Sequence, residues 1–118
     1  MKLLIVEDEP AGRTLLELML EGMHQVLAVG SVEEAQRELA AGQWDLLLTD
    51  YKLPGKSGLD LIHSLEREGS TMPIIMMTGQ GSKDAALDSI KTRVRTLLTK
   101  PFTRDDLLAA LADIQQTS

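Results

Sequence analysis

Cysteine is absent from the 118 residues, so neither a disulfide framework nor a thiolate metal site is available. Aromatic rings are scarce: Trp44, Tyr51 and Phe102 are the whole set. The core must therefore be aliphatic, built from Leu, Ile, Val, Met and Ala. Positive charge is in deficit, with 12 basic against 18 acidic residues and a net charge of -6. Such a domain does not by itself hold nucleic acid through its phosphates. No apolar run approaches the roughly 20 residues of a membrane span. The apolar run after Lys2 is also too short for a secretory leader. The expectation is a cytoplasmic protein with no membrane contact and no direct nucleic-acid contact.

What is present is a repeating pattern. Hydrophobic residues make up 43% of the chain, enough for one ordinary core in a single domain spanning 1–118. Leu3 to Val6 is a short β-favouring run that ends in Glu7-Asp8-Glu9. Pro10 suits a first helical turn, apolar residues from Leu15 to Met23 follow at helical spacing, and Gly22 marks the stop. Gln25 to Val29 reads as the second strand. Ser31 with Glu34 forms a capping-box pattern for a helix ending near Gly42. Asp45 to Thr49 reads as the third strand, and Ser57-Gly58 opens a helix to about Glu68. Pro73 to Met77 is the fourth strand, followed by a glycine-rich loop over 78–82 and a helix from Lys83 to Lys91. Val94 to Leu98 is the fifth strand. Thr103 and Asp106 cap a last helix. Five strands alternating with five helices imply an α/β fold, a parallel sheet covered by helices on both faces.

In such a sheet every strand delivers its end to one edge, where ligands bind. The apolar run Leu46-Leu47-Leu48-Thr49 ends in Asp50, and turn-forming residues follow at once. The same edge receives Glu7 and Asp8 from the first strand, Thr78 from the fourth and Lys100 from the fifth. A carboxylate after a strand is often only a turn residue. The company of the other four positions gives Asp50 a different meaning. Clustered carboxylates repel unless a cation joins them, and an all-oxygen donor set suits Mg²⁺. A carboxylate is also a nucleophile for phosphoryl transfer, with a lysine and a hydroxyl able to bind phosphoryl oxygens. Glu9 reads as a solvated acid of the first helical turn. His24 and His63 lie away from the edge and read as surface residues.

The segments Val6-Glu7-Asp8-Glu9, Thr49-Asp50-Tyr51-Lys52-Leu53-Pro54-Gly55, Met77-Thr78-Gly79 and Thr99-Lys100-Pro101-Phe102 resemble the receiver domains of two-component response regulators. The resemblance spans the whole chain and implies a flavodoxin-like sheet of strand order 2-1-3-4-5. It implies that Asp50 is the phosphoacceptor, charged by a sensor histidine kinase or phosphotransfer protein. It also implies that Asp8 and Asp50 bind Mg²⁺ directly, Glu7 through water, and Lys52 by its backbone carbonyl. Thr78 and Lys100 would hold the phosphoryl oxygens, and Pro101 would follow a cis peptide. The module would signal rather than turn over a metabolite, passing its state to a downstream effector domain or protein. A face built from the fourth helix, fifth strand and fifth helix would change partner affinity or form a dimer.

Two positions depart from the pattern. Leu97 stands where receivers usually carry Tyr or Phe, so the usual aromatic switch is missing. Arg93 stands where glycine is common, so a positive-φ turn there would be strained or absent. From Lys91 to Arg104 there are five basic residues and no acid. That run reads either as cations at a helix end or as part of a partner face. Lys52 and Gln80, flanking Asp50 and Thr78, are the positions expected to tune phosphoryl lifetime. The alternative to a switch is a constitutive interaction module that kept the acidic site. A flavin-binding role fails because acidic strand ends repel a flavin phosphate.

Overall fold

A computed structural model describes residues 1–79 and 82–117, with only the backbone of Thr117. The strands are β1 (Lys2–Val6), β2 (Gln25–Val29), β3 (Leu46–Asp50), β4 (Ile74–Gly79) and β5 (Val94–Lys100). The helices are α1 (Pro10–Leu20), α2 (Val32–Ala41), α3 (Gly58–Arg67), α4 (Lys83–Lys91) and α5 (Arg104–Thr117). The strands form one sheet in the order β2-β1-β3-β4-β5, every pairing parallel. The expected order and alternation therefore hold. The chain reverses direction across the sheet between β1 and β3, which is where a crevice opens in folds of this kind.

Alternation along the strands sorts side chains into two layers. Leu3, Ile5, Leu46, Leu48, Ile75 and Met77 face α1 and α5, where Leu16, Leu20, Leu107 and Leu111 cover them. Leu4, Val6, Leu47, Ile74 and Met76 face α2, α3 and α4 and meet Val32, Ala35, Leu61, Ile62 and Ala85. The central strand β3 is fully buried from Leu46 to Thr49. That explains why its sequence is a continuous apolar run rather than an alternating one. The edge strands β2 and β5 are partly exposed along their length.

Element ends differ from expectation in ways that matter for the site. Asp45 stands outside β3, where its N–H donates to the Lys2 carbonyl (2.8 Å) and its carboxylate accepts the Lys2 N–H (2.7 Å). Asp50 is instead the last residue of the strand. β4 starts at Ile74, one residue after Pro73, and runs through Thr78 to Gly79, while β5 continues to Lys100. Strand pairing outlasted the apolar runs because backbone partners remained available: Thr78 pairs with Thr99 and Gly79 with Lys100. Glu9 is the N-cap of α1 rather than a first-turn acid, and its side chain makes no capping bond. Ser31 accepts the Glu34 N–H as expected, but the Glu34 carboxylate reaches the Gly30 N–H instead of Ser31's own. Full capping boxes form at Ser57 with Asp60 and at Thr103 with Asp106. No non-glycine residue among those described has positive φ, so the turn at Arg93 is of another kind.

Gly58, the first residue of α3, sits against the end of β3. A Cβ there would drive into the Asp50 backbone carbonyl oxygen and stand 3.2 Å from Thr49 Oγ1. The carbonyl belongs to a buried strand and cannot give way. Gly58→Ala should therefore cost about 1–3 kcal/mol in urea unfolding. Gly42→Ala meets only the Lys2 ammonium, at 3.8 Å, and should change stability by less than about 0.5 kcal/mol.

Candidate functional site

Glu7 and Asp8 leave β1 at the point where the sheet reverses. The Glu7 N–H still pairs with the Val29 carbonyl at 3.0 Å, so the backbone keeps its strand direction into the site. Arg13, from the next helix, folds back and donates Nη1 to the carbonyls of Glu7 (2.8 Å) and Asp8 (3.1 Å). Its guanidinium fits because residue 30 is glycine: a Cβ at Gly30 would lie 2.9 Å from Nη1. Gly12 serves the side chain in the same way, since a Cβ there would lie 2.7 Å from Glu7 Oε1. The Glu7 carboxylate thus folds against α1 and is only 4% exposed.

A buried carboxylate needs a partner. Lys100 reaches across from β5 and places Nζ 2.8 Å from Glu7 Oε1 and 3.0 Å from Asp50 Oδ2. Burial draws the Lys100 pKa down, but its hydrogen bonds to Glu7 and Asp50 and the charges of both carboxylates more than offset this. The result is a pKa above the ordinary lysine value. Glu7 Oε2 is buried with no hydrogen-bond partner. Glu7, Asp8 and Asp50 each offer an oxygen, and these atoms lie within 4.8 Å of one another. A buried orphan oxygen inside a compact, oxygen-only donor set suits a hard divalent cation.

Thr78 is 4% exposed near the end of β4, the strand that pairs with β3. Asp50, Lys52, Thr78, Gly79, Ser82, Lys83 and Asp84 line an open cleft of about 500 Å³. Every site position expected from the sequence thus lies at one sheet edge, with the Lys52 side chain exposed at its rim. Gln80 and the middle of the 78–82 loop lie outside the described residues. Lys100 precedes a cis peptide to Pro101. His63 is exposed beside Glu66, and His24 meets the N-terminal amine at 3.1 Å, both far from this edge.

The family model of the response regulator receiver domain matches residues 3–112. The chain belongs to that family. It is 42% identical over 101 residues to the response regulator protein PilR of Pseudomonas aeruginosa, covering 85% of this chain and 23% of PilR. It is 38% identical over 112 residues to the two-component response regulator PhoP of the same organism, covering 94% of this chain and 50% of PhoP. The chain therefore spans half or less of the length of these relatives. A solved receiver domain protein from Clostridium thermocellum superposes with a TM-score of 0.87 at 30% identity, covering 95% of this chain and 91% of that one.

Within the receiver domain, the basic run over 91–104 does not form one face. Lys100 is turned into the acidic cluster. Arg93 donates to the Met72 carbonyl at the opposite edge of the sheet. Arg104 reaches α1, donating Nε to the Met19 carbonyl at 2.8 Å. Leu97 packs partly buried in the layer shared with α4. Two contacts had no signal in the sequence. One is the Arg13 clamp. The other joins Tyr51 to α4, its hydroxyl donating to Asp88 Oδ2 at 2.6 Å. Both residues were ordinary helix or turn positions until the chain folded.

The sign of the Lys100 shift makes a test. Folding favours the ammonium, so its stabilisation is complete below the unfolded lysine pKa of about 10.4 and fades above it. The urea midpoint of the native protein should exceed that of Lys100→Met by a steady margin from about pH 7 to about pH 9. The margin should close as the pH rises past about 10.4.

Proposed function

We propose that this receiver domain is a phosphorylation switch whose acceptor is Asp50. The observation that carries the reading is the convergence of Glu7, Asp8, Asp50 and Lys100 at the reversal point of the sheet, with three carboxylate oxygens within 4.8 Å. The donor is a phosphohistidine on a sensor histidine kinase or a phosphotransfer protein. An Asp50 oxygen attacks phosphorus, the P–N bond breaks, and its electron pair returns to the imidazole, which takes up a proton. Lys100 already bridges Glu7 and Asp50, so it is in reach of an oxygen of the incoming group. Thr78, which lines the same cleft as Asp50, supplies a hydroxyl donor. Asp8 and Asp50 directly, Glu7 through water and Lys52 through its carbonyl would hold Mg²⁺. That ion would neutralise charge that builds on the transferring group. The donor set described above fits it.

The domain would act in the cytoplasm on an effector domain or protein. Among the described residues no helix is long and apolar enough to cross a membrane. Leu87 and Ile90 of α4 are 54% and 80% exposed, which supports the α4-β5-α5 face as the surface whose partner affinity, or self-association, changes. The competing reading is a constitutive interaction module, and Leu97 at the usual ring position favours it.

Intact-mass measurement after incubation with Mg²⁺ and acetyl phosphate should give a gain of one phosphoryl group, absent in Asp50→Asn. No gain in the native protein, or a gain surviving the substitution, would discard the switch. Amide shifts followed during Mg²⁺ titration should report about tenfold or weaker affinity in Glu7→Gln, the expected size for an outer ligand.

A further inference from the structure

Tyr51 follows the acceptor position directly, and its backbone is pinned on both sides. Its N–H donates to the Met77 carbonyl at 2.7 Å, and its carbonyl accepts the Gly58 N–H at 3.0 Å. The residue is thus tied to β4 and to the start of α3. Its ring packs partly buried in the same layer as Leu97. The hydroxyl then leaves this fixed base and donates to Asp88 on α4 at 2.6 Å. That bond is short and charge-assisted, the stronger kind. Asp88, reinforced by the charge of Asp84, pushes the phenol up to about 12, so it stays a donor at any ordinary pH.

The helix at the other end of this bond is weakly held. Ala85 is its one buried residue, while Leu87 and Ile90 point into solvent. A single polar contact therefore has unusual influence over where α4 lies. The first turn of α4 is also a wall of the acceptor cleft, through Ser82, Lys83 and Asp84. Leu97 offers no polar group for such a task.

We infer that Tyr51 is a positioning residue, a strut between the acceptor loop and α4 that couples Asp50 to α4 where the β5 ring is missing. The inference rests on the reading of Asp50 as acceptor. A phosphoryl group adds about two negative charges opposite Asp84 on the same cleft. The new charge pulls on Lys83 and pushes on Asp84, which reorients the α4 wall, and the Tyr51–Asp88 bond holds that wall in place in the resting protein.

Amide hydrogen exchange of the 118-residue protein tests this. In the resting state, Tyr51→Phe keeps the ring and loses the bond, and α4 amides should exchange about tenfold faster, as expected for a hydrogen bond to a charged group. Amides of β1 and β3 should be unchanged, which separates loss of the strut from general loosening. Asp88→Ala should produce the same effect, and the double variant should be no faster than either alone. Phosphorylation of the native protein should raise α4 exchange towards the Tyr51→Phe level. Equal resting α4 exchange in native and Tyr51→Phe protein would overturn the strut. So would additive single variants, or α4 exchange that ignores a phosphoryl group detected by mass. If the native protein gains no mass, the acceptor reading fails, and the resting comparison still judges the strut by itself.

Discussion

A carboxylate 4% exposed between a sheet edge and a helix is costly without a cation against it. In this receiver domain that cation is Lys100, and it stands 93 residues away in sequence. The ion pair ties the first strand to the last across the middle of the sheet, and Asp50 shares the same ammonium. Other features follow from keeping those three groups together. Gly12 makes room for the Glu7 carboxylate, Arg13 fixes the backbone that carries it, and Gly58 lets α3 start flush against the Asp50 carbonyl. Lys100 satisfies only one Glu7 oxygen. The other is buried without a hydrogen-bond partner, in an oxygen-only set that suits a further cation.

The two sides of the sheet next to Asp50 are covered unequally. On one side of the sheet, α1 and α5 cover the strands with Leu16, Leu20, Leu107 and Leu111. On the other, α4 covers the sheet with little more than Ala85, so that side yields more readily. On that side lies Tyr51, fixed to two elements and bonded to a third. Leu97 on β5 has no ring and no polar group, whereas Tyr51, directly after Asp50, carries a hydroxyl bonded to α4.

Much of this was legible from residues alone. The Leu46–Leu48 run predicted a strand buried on both faces because side chains there have apolar neighbours on either side. The capping pair at Thr103 was readable because its bonds are local. Strand ends were misplaced at β3, β4 and β5 for the opposite reason. Thr78 and Lys100 look like loop residues in sequence, yet each continues its strand because a neighbouring backbone was there to pair with. The basic run over 91–104 looked like one feature. Arg93, Lys100 and Arg104 in fact reach three different parts of the molecule, because successive strand residues face opposite sides and the chain then turns.

The sequence by itself determined the fold class, the order of elements and the five polar positions at one edge, since periodicity and strand ends are local properties. Only the tertiary structure decided what touches what. Lys100 on Glu7, Arg13 on two carbonyls and Tyr51 on Asp88 are contacts between residues from separate elements. Their partners are chosen by how helices cross the sheet, which no local pattern records. The aspartate at the end of the third strand was visible from the start. Its link to α4 came into view only when the neighbouring phenol found a carboxylate 37 residues along the chain.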